Sequence, residues 1–143
     1  MLIHRNRARH AVIEKIAWTA VRLIFACWYF GVGIIGFITN DPVKDAAEAA
    51  TALEKAMAQS LFMNPLLCLC CLLGGGAMFL PRTTPLGIAI LTPLVVIIFF
   101  FHMVITKSYA WGALNLVLLI ALAWRFRRGF ESLWNYREAM PKA

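Results

Sequence analysis

Three polar side chains interrupt apolar stretches at similar distances from one face of the presumptive fold: Asn64, His102 and Asn115. Counted from the ends of their runs, they share a depth band of roughly 5–9 Å at 1.5 Å per residue. An imidazole and two carboxamides could hold a polar headgroup or a quinone ring, and Trp111 would then stand at the mouth of the pocket. They could equally serve as hydrogen bonds between neighbouring helices. An ionisable group at membrane depth makes His102 the first candidate. Arg22 sits about six residues inside another run; it either snorkels to the interface or meets a lipid phosphate or a partner. The candidate ligand-binding set is therefore His102, Asn64, Asn115, Trp111 and Arg22.

Thiol chemistry is the second possibility. Cys68-Leu-Cys70-Cys71 places Cys68 and Cys71 one helical turn apart. Redox-active pairs usually sit at a helix N-terminus, where the dipole favours the thiolate. These lie well inside an apolar run, which favours small buried hydrophobes over redox work or soft-metal binding. Gly31-Val-Gly33-Ile-Ile-Gly36 matches the dinucleotide pattern, but that mechanism needs a preceding strand and a helix N-terminus after it. Here the glycines read as close helix packing, as do Gly74, Gly75 and Gly76. None of the seven carboxylates falls inside an apolar run. Proton relays and ion-coupled carriers normally need such groups, so a pump or coupled transporter is disfavoured. No metal site is expected.

The elements that must carry these residues follow from composition. Of 143 residues, 62% are hydrophobic and 15% charged; ordinary soluble domains have roughly 45–50% and 25%. So much apolar surface calls for a second apolar solvent, the bilayer. Four runs are long enough to span it as helices: 16–39, 61–80, 86–106 and 109–124. The fold class expected is all-α, a four-transmembrane-helix bundle forming a single integral membrane domain. Between the first two runs, Asp41 and Pro42 suit a helix start, and Val43, Ala46, Ala50, Leu53 and Met57 give an apolar stripe. That predicts a short outer amphipathic helix. Pro93 cannot donate to the Ala89 carbonyl, so a kink is expected in the third span, with His102 in its outer half.

Orientation follows from the basic residues. Arg5, Arg7, Arg9, Lys15, Arg22, Arg82, Arg125, Arg127, Arg128, Arg137 and Lys142 fall on one side; Lys44, Lys55 and Lys107 fall on the other. The positive-inside rule puts the first group, and both termini, in the cytoplasm of a bacterial inner membrane. Because these charges cap apolar runs, the net charge of +7 points to topology and not to nucleic acid. The first run is an uncleaved anchor, since no small-residue cleavage site follows it closely.

The stretch from Leu72 to Pro85, with Gly74–Gly76 and Arg82-Thr83, followed by Pro93 and Phe101-His102, resembles the DoxX-like family of small four-helix membrane proteins. The Ala123–Arg128 ending and Arg22 are similar too. The glutamate that relatives often carry near Cys70 or Cys71 is missing here. The resemblance implies an all-helical bundle loosely associated with membrane redox systems. The function expected is a non-catalytic accessory subunit binding a partner, lipid or quinone. The alternatives are a small thiol oxidoreductase using Cys68 and Cys71, and a small-molecule binder around His102. Expected partners are membrane lipids and another membrane protein or a second copy.

Overall fold

The structure, a computed structural model, describes residues 2–39 and 48–131. Among them every regular element is helical. They are α1 (Leu2–Thr39), α2 (Glu48–Gln59), α3 (Met63–Ala77), α4 (Thr84–Phe100) and α5 (Tyr109–Arg125). A π-helical turn, Phe101–Ile105, prolongs α4, and a 3₁₀ turn, Arg127–Phe130, follows α5. The expected helix start at Asp41 and Pro42 lies outside the described residues, as do Arg137 and Lys142.

Most element limits follow local chemistry. α1 runs well past the expected 16–39 span because no proline or glycine interrupts its basic first half. α3 stops at Ala77, short of Leu80, and turns through Met78–Leu80 ahead of Pro81. α4 takes Pro85 at its start, where a missing N–H costs nothing. It also continues through Pro93, so the departure from α geometry comes two turns later, in the π turn that carries His102.

Packing follows chain order: α1 lies on α3, α3 on α4 and α4 on α5, while α2 rests on α3 and the π turn. The core runs through Phe25, Ala26, Tyr29, Cys71, Met78, Ile88, Leu91, Leu94, Val95, Leu119 and Leu122. Glycine sets the spacing at two contacts. A Cβ on Gly75 would sit 2.6 Å from the Phe30 backbone nitrogen, and one on Gly87 would sit 2.6 Å from the Gly74 carbonyl oxygen. These helices touch backbone to backbone, as small-residue interfaces in membranes do.

The outside carries many large apolar side chains, and the inside holds a few polar ones. Ile24, Ile38, Leu61, Ile97, Val104, Val117 and Trp124 are exposed, while Arg22, Thr84 and Asn115 are buried. Each large apolar side chain left in water forfeits about 1.5–3 kcal/mol of burial. Residues Val12–Thr39 and Thr84–Ile105 form two helices long and apolar enough to cross a membrane. Only 28% and 22% of their most apolar stretches are buried, unlike the core helix of a water-soluble protein. The apolar α3 and α5 are shorter, at 15 and 17 residues. One end of the bundle holds Arg82 and Arg125 and is called the basic end below; the far end holds Ser60 and Lys107.

Candidate functional site

The three polar candidates Asn64, His102 and Asn115 fall into three separate places, and Arg22 lies in a fourth. The first is a pocket of roughly 290 Å³ at the far end, lined by Gly36, Phe37, Ser60, Leu61, Asn64, Pro65 and Cys68. It opens where α1 and the start of α3 meet. Gly36 makes the room, since a Cβ there would lie 2.6 Å from Cys68 Sγ. Asn64 and Cys68 are one turn apart on α3, and the thiol lies 3.9 Å from Asn64 Oδ1 as its donor. A carboxamide, a hydroxyl and a thiol thus edge a cavity whose other walls are apolar. Such a lining suits the polar ring or headgroup of an amphiphile.

The second place is the π turn. Amide bonds there reach five residues back, as in Thr106 N–H to Phe101 O at 3.2 Å. His102 Nδ1 lies 2.8 Å from the Ile98 carbonyl. A carbonyl only accepts, so Nδ1 carries the proton, and in the neutral ring Nε2 is the acceptor. Gly112 of α5 lets the turn approach closely: a Cβ there would be 2.9 Å from that of His102. At the end of the turn, Thr106 Oγ1 is buried without a hydrogen-bond partner. π turns inside α-helices are frequent at functional sites.

Asn115 and Trp111 occupy the third place, where α5 meets α1. Asn115 is buried; its Nδ2 donates to Trp111 O at 2.9 Å, and its Oδ1 accepts from the Tyr29 hydroxyl at 3.1 Å. Trp111 packs edge-on against Trp28, with centroids 5.3 Å apart. The pocket lining therefore includes Asn64 but not His102, Asn115 or Trp111. Similar depth did not place the three polar residues on one wall, because depth fixes height along a helix and leaves its rotation open.

Arg22 is at the basic end, 5% exposed, with Nη1 pointing to Thr84 Oγ1 at 3.5 Å. Cys71 is packed in the core, and all four cysteines are free thiols. Among the described residues no three or more His, Cys, Asp or Glu gather as a metal ion would need. Sequence reasoning missed Tyr29 and Thr84. A tyrosine in an apolar run signals a hydroxyl that wants a partner once buried, and that was the available clue. No protein-family model, curated protein or solved structure matches this chain.

Proposed function

We propose that the chain is a four-span integral membrane protein that binds a membrane amphiphile of the lipid or quinone class without transforming it. In this reading it is an accessory subunit of a membrane redox system, of DoxX-like kind, with both termini on the cytoplasmic side of an inner membrane. The membrane part is supported by the apolar outer surface and the two long apolar helices. In it α3 and α5 are the remaining spans, completed by the turns at their ends. The binding part rests on one observation, the pocket edged by Asn64, Ser60 and Cys68 and walled by Phe37, Leu61 and Pro65.

Titration of the detergent-solubilised protein with the short-chain quinone ubiquinone-1 and with dioctanoyl phosphatidylglycerol, followed by tryptophan fluorescence, tests it. Saturable binding is expected, weakened about tenfold in Asn64→Leu by loss of the polar contact. Absence of saturable binding for both probes sinks the reading.

A second reading is favoured by Cys68 lining the same pocket: Cys68 and Cys71 would form a dithiol reached from it. Thiol trapping across a redox series decides. If no Cys68–Cys71 disulfide ever forms, and the double serine variant keeps its phenotype, that reading is finished.

A further inference from the structure

The guanidinium of Arg22 is buried beside the first turn of α4, and among the described residues its one hydrogen bond is the long one from Nη1 to the Thr84 hydroxyl. Its Nε is sealed from solvent and has no partner among the described residues. Arginine stays protonated at any ordinary pH, so this is a full positive charge inside the fold. Among the described residues no carboxylate pairs with it; Glu14 and Glu131 are both exposed. Removing a cation from water is costly unless an anion replaces the lost hydration. Snorkelling, the economical account of an arginine at this depth, would expose the head group, and here it is covered.

The surroundings raise the positive potential further. Thr84 and Pro85 open α4, whose dipole adds partial positive charge, although Thr84 N–H already donates to Leu80 O and Pro85 has no N–H. Arg82 precedes that turn by two residues. The 3₁₀ turn carrying Arg127 and Arg128 is brought against it, since a Cβ on Gly129 would lie 2.3 Å from Pro85 Cγ. Backbone segments carrying Arg82, Arg127 and Arg128 therefore lie at the same end as the buried Arg22, with those three side chains exposed and Arg127 stacked 4.8 Å over the Trp124 ring.

We infer that Arg22, with Thr84 and the first turn of α4, forms a second binding site, at the basic end, for a phosphate-class oxyanion. Once the side chains that cover Nε give way, a tetrahedral oxyanion offers one oxygen to Nε and another to a terminal guanidinium nitrogen, a bidentate geometry that a point charge cannot match. Thr84 then orients the guanidinium from its other side. The same chemistry is carried by a phospholipid headgroup and by free phosphate. This site is independent of the far-end pocket, and its failure would leave that reading untouched.

The test uses the full-length protein in a phosphate-free neutral detergent. Sodium phosphate and dioctanoyl phosphatidylglycerol are titrated separately, with sodium chloride matching ionic strength, while thermal unfolding and native mass spectra are recorded. The wild type should gain a saturable rise in Tm, with one phosphate group bound per chain. A rise with both probes means that any phosphate-class anion is taken; a rise with the lipid alone means a headgroup. Arg22→Gln should shift the midpoint by about tenfold or more, and Arg22→Lys by less, because it keeps charge but loses the bidentate fork. Two results overturn the inference: a wild type flat to both probes, or Arg22→Gln responding like the wild type. If Arg22→Gln does not fold, Arg22→Lys decides: an unshifted midpoint for both probes overturns the inference, because the far-end pocket could take the lipid by itself.

Discussion

The Tyr29 hydroxyl donates to Asn115 Oδ1 across 3.1 Å, joining residues 86 positions apart in the chain. It ties α1 to α5, whose backbones otherwise approach little. Asn115 is held from its other side by the Trp111 carbonyl, so its carboxamide is presented to the tyrosine already oriented. Hydrogen bonds of this kind between membrane helices contribute about 0.6–1.7 kcal/mol. A double-mutant cycle with Tyr29→Phe and Asn115→Ala should show coupling in that range, read from unfolding in mixed micelles. Strict additivity of the two substitutions would mean that the bond contributes nothing.

Two glycines offer a matched contrast. A Cβ on Gly75 meets the Phe30 backbone at 2.6 Å, whereas one on Gly31 meets nothing within 4 Å. Gly75→Ala should destabilise by about 1–3 kcal/mol through overpacking. Gly31→Ala should stabilise by up to about 1 kcal/mol through helix propensity. The two variants have the same composition, so a shared direction of Tm change would contradict the packing described.

These contacts also show what was legible in advance. Apolar run length gave the helices, because a helix satisfies its own backbone wherever it is placed. Close packing holds at Gly33, Gly36, Gly74 and Gly75, where only a small residue fits, but not at Gly31, which faces open space, or at Gly76, which has ordinary contact with the Phe30 ring. The pairing of Tyr29 with Asn115 was hidden, since it depends on how α1 and α5 are rotated about their axes. Arg22 was misleading for the same reason: its depth suggested a side chain reaching the surface, and its azimuth buried it against Thr84. The π turn at His102 lies close against Gly112 of α5, a tertiary contact with no local sequence signature.

His102 divides two roles. The imidazole bonds Ile98 one turn back on its own helix and not a neighbouring helix as expected; if that is its whole role, His102→Leu should cost only about 1 kcal/mol and leave quinone and lipid titrations unchanged. If Nε2 holds a ligand or partner, binding should fall with the fold intact. Circular dichroism paired with the two titrations separates these outcomes.

Lys107 links the π turn to α5 with φ of 53°, the one non-glycine residue at positive φ among those described. A side chain there costs about 1–2 kcal/mol relative to the right-handed region. Lys107→Gly should therefore raise Tm or leave it level, and Lys107→Val should lower it. A higher Tm for the valine variant would refute the turn geometry.

Topology can be read with single cysteines placed in a cysteine-free background. Cysteines at Gln59 and Ser108, both exposed at the far end, should react with an impermeant maleimide in intact cells. Cysteines at Arg82 and Glu131, both exposed, should react only after lysis. Labelling of Arg82→Cys before lysis would reverse the orientation or remove a span.

The 38 residues of α1 make a rod about 57 Å long at 1.5 Å per residue, while a bilayer's hydrocarbon core is about 30 Å thick. Arg22 marks where this rod enters the packed bundle, level with the start of α4. What lies before Trp18 acts as a lever, rigid because it is one unbroken helix with the segment inside. Any load on that arm, from a partner or from the membrane surface, becomes torque on α1. The first side chains to feel it are Trp18, Val21 and Arg22, and two turns beyond Arg22 is Tyr29, whose bond to Asn115 would carry the same rotation into α5.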